Sequence, residues 1–439
     1  MATSRLRRGL IRAIEAVHFR LFRHPMGEQM RQFFGNLSWS FLGGGLASAV
    51  MLVVNILAGR LIGPEGFGRY NLVLTFSQLL MLPLIFSLDI AGVRSVAMSK
   101  NREEEASNIS SALYFLAANS LFITLLFLLS YRFIALRFAV DTRLLFLIIA
   151  MTLTMSFRNV CDGFIRALGL YEYQFRGRIA EVVVAVSIFA LLFFGVGRMN
   201  EFSYILALLA GGVTLTLIFF GRLTPYLTTF SYKHLSAQLS YGKILLIGSI
   251  LGTAFNSLDV VIIARYLSVF EVGIYGAYYA ASTNLVAQLV QMFINVFFPS
   301  VAKAEDKRAI FQKVNQLSVL AFVPCVIILS GMVWLIISLF GSKYGVRLNY
   351  VLEFGTLGSL IILVTVYASL LTAISEKLYK KYLIWLNGLS LLHVGYYALM
   401  IYFRLTSIQT IVAFIILYNF AIILIQKGLI TQHYRTAEA

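Results

Sequence analysis

The sequence predicts an all-α integral membrane protein of about 12 transmembrane helices, folded as two six-helix bundles that are parallel repeats around a central cleft. Three observations lead there. Apolar residues fill 59% of the 439 positions and charged residues 13%, whereas a soluble domain is roughly half apolar and a quarter charged. Apolar runs long enough to cross a bilayer as helices, about 20 residues each, recur along the whole chain. Finally, the chain repeats itself at an offset of 205 residues: Arg60, Gly68 and Tyr70 match Arg265, Gly273 and Tyr275, and Ser95-Val96-Ala97 matches Ser300-Val301-Ala302.

The chain opens with seven arginines in residues 1–35 (Arg5, Arg7, Arg8, Arg12, Arg20, Arg23, Arg31), and Leu6, Leu10, Ala13, Val17 and Leu21 recur there at helical spacing. This predicts a basic amphipathic helix on an anionic inner leaflet. A targeting presequence shares the arginine bias, but Glu15, Glu28 and the lack of an uninterrupted apolar core or small-residue cleavage site argue against one. The expected spans lie near 36–58, 69–92, 108–130, 142–162, 179–197, 202–221, 243–264, 274–298, 314–340, 350–373, 382–403 and 409–426. They divide the chain into an N-terminal bundle (36–222), a cytoplasmic inter-bundle linker (223–242), a C-terminal bundle (243–426) and a cytoplasmic tail (427–439). Lipid tolerates only helices or closed barrels, and a barrel would show short alternating segments instead of these runs.

Of the 36 Lys and Arg, 25 fall on the N-terminal side of this topology and 10 on the other, with Arg158 inside a span. The rule that basic residues stay in cytoplasmic loops therefore places both termini in the cytoplasm and the protein in the cytoplasmic (inner) membrane. It also accounts for the net charge of +17 without a nucleic-acid partner. The repeat offset spans six helices, an even number, so both copies enter the membrane in the same direction and are related by an axis along its normal. Two such bundles around a cleft form the architecture of a transporter.

Ionisable groups inside spans are costly and mark candidate sites. Arg158, followed by Asn159 and Asp162, lies toward the cytoplasmic end of the fourth span. Arg158 and Asp162 are one helical turn apart and could neutralise each other; alternatively, the planar guanidinium could bind an anionic head group. Arg60 and Arg265 hold equivalent places at the outer ends of spans one and seven, where they either snorkel to the interface or line an outer mouth. Asn55 joins them as a polar candidate in span one. Asp89 and Asp259 could each carry a coupling proton or sodium ion, or pair locally. Glu181 has Arg178 one turn before it, so pairing is expected, and His393 reads as an interhelical hydrogen-bonding residue. Gly43-Gly44-Gly45 suits close packing, while Pro83 and Pro324 are expected kinks. Cys161 and Cys325 have no ligand spacing around them. The chain contains no HExxH, GxSxG, P-loop or CxxC motif, so no cofactor, metal or catalytic activity is expected.

The segment Arg60-Leu61-Ile62-Gly63-Pro64-Glu65-Gly66-Phe67-Gly68-Arg69-Tyr70 resembles the signature of bacterial polysaccharide flippases. These are the O-antigen and capsule repeat-unit translocases of the multidrug/oligosaccharidyl-lipid/polysaccharide exporter superfamily. Asp89 to Arg94, Leu258-Asp259, Glu271 to Tyr275 and Phe298-Pro299 are similar to further family segments. The second turn, Tyr266-Leu267-Ser268-Val269-Phe270, lacks the Gly-Pro of the first and reads as less tight.

The resemblance implies a flippase that moves polyprenyl-pyrophosphate-linked oligosaccharide units from the inner to the outer leaflet by alternating access. Arg60, Arg158, Arg265, Asn55 and Asn159 would bind the head group, and Asp89 and Asp259 would couple an ion. The implied partners are the lipid-linked sugar, membrane lipids and polysaccharide polymerase or assembly proteins. A cell-wall (peptidoglycan) precursor flippase ranks second, since such proteins carry two more spans than the twelve expected here. A drug/cation antiporter follows, and then a non-transporting scaffold of a polysaccharide assembly complex.

Overall fold

The computed structural model of the protein describes residues 28–138, 141–290, 293–294, 301 and 306–436. The basic segment expected on the inner leaflet lies largely outside these residues, as do Phe298 and Pro299. Helix α1 (Glu28–Ile85) is two helical stretches joined at a single non-helical residue, Gly63, at φ 77° and ψ 174°. Only glycine takes this conformation without steric cost, so the Gly-Pro pair of the first turn makes a one-residue corner. A Cβ on Gly63 would meet only the Lys343 side chain, at 4.0 Å, leaving the backbone as the source of any penalty. Gly63→Ala is expected to cost about 1–3 kcal/mol and to shorten the half-life of monodisperse protein at a fixed temperature; an unchanged half-life would show that the corner does not need glycine.

The expected kink at Pro83 is a full break. Helix α1 ends two residues later, Phe86 and Ser87 take φ of 54° and 57°, and α2 (Leu88–Ala97) begins. The carbonyls freed there, those of Pro83 and Leu84, accept from the Asn119 amide of α3 (Arg102–Phe138) at 2.9 and 2.8 Å. This satisfies groups that a helix end leaves without a partner. Next come α4 (Thr142–Ala167), α5 (Tyr171–Ala190) and α6 (Glu201–Leu223). Asp141 caps α4 and Asn200 caps α6, their side chains accepting from the Arg143 and Ser203 amides as N-cap residues do.

Helix α7 (Tyr232–Tyr266) is followed by Leu267 and Ser268, and Ser268 caps α8 (Val269–Tyr279) through the Glu271 amide. The second corner thus takes two residues where the first takes one. Helix α9 (Lys307–Phe340) runs through Pro324. Helices α10 (Leu348–Ile374), α11 (Glu376–Tyr402) and α12 (Ile408–Thr436) complete the chain.

Among the described residues nine helices are long and apolar enough to cross a bilayer, the first carrying both sides of the Gly63 corner. The range expected for span seven falls on α7, and that for span eight begins in α8 and reaches beyond the described residues. Large apolar side chains point outward along the candidate spans, such as Leu121, Phe122, Leu125 and Leu129 of α3 and Leu317, Leu320 and Ile327 of α9. An apolar surface of that extent needs lipid rather than water. The chain is a multi-pass, all-α membrane protein.

Two compact units emerge. Unit 1 runs through Asn55 and resumes from Leu80 to Leu246; unit 2 takes Ile56–Leu79 and the chain from Ile247 onward. In unit 1, α4 supplies Val160, Phe164 and Ile165 to a core completed by Leu88 of α2, Leu116 of α3 and Phe219 of α6. Residues 223–242, expected as a linker, are fastened to α3. The Thr228 and Ser231 amides donate to the Ser110 and Ser111 hydroxyls at 2.6 and 3.0 Å, and the Gln238 amide donates to the Asn108 carbonyl at 3.1 Å. In unit 2 the core joins Leu360, Tyr367 and Leu370 of α10 to Tyr382 of α11 and Ile423 and Ile430 of α12.

Unit 2 also holds the first corner, which the sequence division assigns to the N-terminal bundle. A Cβ on Gly68 would fall on the Val269 carbonyl, and one on Gly273 would fall on the Pro64 carbonyl. A Cβ on Gly276 would likewise overlap the Asn71 side chain. Each pair consists of positions 205 apart or their mates, so the two copies of the repeat touch through equivalent residues. Small residues let helix backbones approach this closely. Beside them Phe67 packs edge-on against Phe340 at 5.4 Å between ring centroids. Burial pushes the Tyr344 phenol up from its ordinary pKa, so it stays protonated and donates to the Gly59 carbonyl at 2.8 Å.

Candidate functional site

Five charged side chains meet between α4 and α5 in unit 1. Arg158 Nη1 lies 2.9 Å from Glu181 Oε1, with 30% and 13% of the two side chains exposed. The other Glu181 oxygen faces Arg178 Nη1 at 3.3 Å, so one carboxylate joins guanidiniums from both helices. Asp162, 8% exposed, faces Arg178 Nη2 at 3.2 Å and Arg166 Nε at 3.6 Å, and its second oxygen accepts from the Gln174 amide at 3.1 Å.

The local pairing expected from sequence is corrected here. Arg158 pairs with Glu181 on the neighbouring helix and not with Asp162 one turn along its own; Asp162 instead serves Arg178 and Arg166. The expected Arg178–Glu181 pair is present. Asp162 is directed instead toward Arg166 one turn further along and Arg178 on the neighbouring helix, and Glu181 meets Arg158. Gly211 of α6 packs on the same stretch of α5: a Cβ there would lie 2.7 Å from the Glu181 carbonyl and 2.9 Å from Ala185 Cβ.

The cluster holds three cations against two anions, and its donors are not all used. Arg158 Nε is buried without a hydrogen-bond partner among the described residues, and so is Gln174 Oε1. A guanidinium has five N–H donors in a fixed fork that suits carboxylate or phosphate oxygens. A buried donor left open costs free energy, so an incoming anion with several acceptor oxygens would find Arg158 ready for it.

The remaining candidates lie elsewhere. Asn159 donates to Met81 Sδ at 3.3 Å, and Asn55 accepts from the Tyr204 hydroxyl at 3.0 Å. Asp89 lies in the first turn of α2, where a negative charge complements the helix dipole. Arg60 and Arg265 are exposed and belong to unit 2. Asp259, 2% exposed, is also in unit 2, where it accepts from the Tyr275 hydroxyl and, at 2.8 Å, from the Val260 amide. His393 sits among the rings of Tyr397, Phe414 and Tyr418, with centroids 4.7 to 4.9 Å away. Among the described residues no three His, Cys, Asp or Glu side chains gather as metal ligands do.

Sequence reasoning missed Arg166, Gln174 and Gly211. Arg166 and Gln174 read as loop residues, and nothing in the sequence alone marks which glycine carries a helix contact.

A family model described as "Polysaccharide biosynthesis protein" matches residues 33–305. Among curated proteins no relative matches the chain. Several solved structures share its fold. An inward-facing multidrug resistance MATE family transporter of the MOP superfamily aligns with TM-score 0.65 and 12% identity, over 90% of this chain and 94% of that one. An outward-facing MATE family transporter aligns with TM-score 0.61 and 15% identity, over 92% and 96%. A MOP superfamily transporter from Pyrococcus furiosus, described as having a binding pocket of reversed polarity, aligns with TM-score 0.60 and 14% identity, again over 92% and 96%. At these identities the likeness concerns the fold.

Proposed function

Because the chain belongs to the polysaccharide biosynthesis protein family, we propose that it is a flippase. Its substrate is a polyprenyl-pyrophosphate-linked oligosaccharide, carried from the inner to the outer leaflet of the cytoplasmic membrane by alternating access. The observation that carries this reading is Arg158, a guanidinium within a candidate span that keeps a buried donor open. Sugar and pyrophosphate cannot cross hydrocarbon unaided, because each unsatisfied polar group costs several kcal/mol there. A polar site on the protein replaces the lost water while the polyprenyl tail stays in lipid. Outward movement of a negative charge across an inside-negative membrane gains about 2.3 kcal/mol per 100 mV, so the loaded step runs downhill.

Arg158 and Asn159 are the head-group residues of this reading in unit 1, and Asn55, Arg60 and Arg265 are the remaining candidates. Asp259 is the favoured ion-coupling group over Asp89, since its burial beside Tyr275 makes its charge the more costly to leave uncompensated.

The experiment uses the purified protein in liposomes. It follows how fast a polyprenyl-pyrophosphate oligosaccharide becomes accessible to an impermeant sugar-modifying reagent on the far side. The wild type should accelerate this, and Arg158→Ala should lose about 100-fold of the rate, as expected when a charge-assisted contact of about 3 kcal/mol is removed. No acceleration by folded wild type with several sugars, with and without an ion gradient, would refute the reading and favour a drug antiporter or a scaffold.

A further inference from the structure

Glu181 makes the contact with Arg158 that an anionic head group would make. It offers two oxygens to guanidinium donors, one to Arg158 and one to Arg178, as a phosphate group would. Asp162 is engaged differently, with Gln174, Arg178 and Arg166 all directed at it. The two carboxylates therefore do different work. Asp162 is held by three side chains and keeps the frame together, while Glu181 is held by two and covers Arg158, which has a buried donor to spare.

We propose that Glu181 is a placeholder: in the empty protein it occupies the anion position of Arg158, and an arriving phosphate-type head group displaces it. The inference deepens the transport reading above and rests on it for the identity of the substrate.

The physical reason is the cost of a lone guanidinium in a membrane span, which is high unless the charge is paired. A carrier that releases its anion at one face has to return empty. With Glu181 swinging back onto Arg158, the returning protein never leaves that guanidinium without a carboxylate beside it. With the anion bound, Glu181 keeps Arg178 as its counter-ion, 3.3 Å away in the empty arrangement, so the displaced carboxylate is not stranded. Glu181 is thus a positioning residue: it competes with the ligand for Arg158 and sets how readily the site empties.

The test reads binding and transport separately. Inorganic pyrophosphate is titrated into the purified full-length protein by calorimetry, and the liposome assay is run over a range of lipid-linked substrate concentrations. Glu181→Gln removes the competing charge, so pyrophosphate should bind about tenfold tighter, equivalent to about 1.4 kcal/mol. In transport the half-saturating concentration should fall with it, and the maximal rate should also fall because release and return are slowed. A purely structural glutamate would instead weaken binding and lower the rate together.

Glu181→Asp keeps the charge but draws it back by one methylene; it should move both quantities in the same direction by a smaller factor, and it serves if the glutamine variant does not fold. Pyrophosphate affinity that is unchanged or weaker in both variants overturns the placeholder. If affinity tightens as expected while wild type moves no lipid-linked sugar, the transport reading fails and the placeholder stands.

Discussion

Leucine at Gly273 should leave little folded protein. Its Cβ alone falls on the Pro64 carbonyl, a backbone atom that cannot rotate aside, and the rest of the side chain has to enter the same contact. Overpacking of this kind costs about 3 kcal/mol or more. Leucine at Gly68 meets the Val269 carbonyl in the same way and should cost about as much. The two substitutions should not add, because either one lifts the first corner from its seat and the second then meets open space. The measure is the half-life of monodisperse protein at a fixed temperature, since large membrane proteins unfold irreversibly and their stability is read as a rate. Single variants as long-lived as wild type, or a double variant showing the full sum, would mean that the corner is not seated through these glycines.

Alanine at Asp162 should be nearly as damaging. It takes the acceptor from Arg178, Arg166 and Gln174 at once, in a position that is 8% exposed. Removing one partner of a buried ion pair costs about 3–5 kcal/mol because the other charge is left uncompensated. Asp162→Asn keeps a carbonyl oxygen for one of those donors and should lose about half as much. The same half-life measurement applies, and equal losses in the two variants would show that shape matters at this position and charge does not.

Much of the architecture was legible in the sequence because its signals are local. Apolar runs report spans without reference to neighbours, and Gly63-Pro64 reports a corner because φ near 77° is a property of one residue. The 205-residue offset revealed a repeat, yet not that equivalent residues would touch one another at Gly68, Gly273 and Gly276. The site was legible by residue type and not by pairing. Arg158, Asp162, Arg178 and Glu181 all stood out as charges in or beside spans, but the one-turn rule knows only neighbours on the same helix. Which carboxylate faces Arg158 depends on how α4 and α5 slide along each other. Gly211 of a third helix, α6, also packs on the Glu181 backbone, a contact that no spacing within α4 or α5 reports. Pro83 shows the same limit from another side. A proline announces an interruption, but only the Asn119 amide at 2.9 and 2.8 Å from two freed carbonyls makes a complete break affordable in lipid.

The seat of the first corner also has a consequence for how the protein is made. Gly68 and Phe67 leave the ribosome about 200 residues before Val269 and Gly273, which at roughly 5–20 residues per second is on the order of 10–40 s. Throughout that interval the corner is already synthesised, and the surface that will hold it does not exist. Its glycine face and the Phe67 ring then lie open to lipid, to the insertion machinery and to neighbouring nascent chains. Assembly of this protein therefore includes a waiting step, and its vulnerable period ends only when the second copy of the repeat enters the membrane.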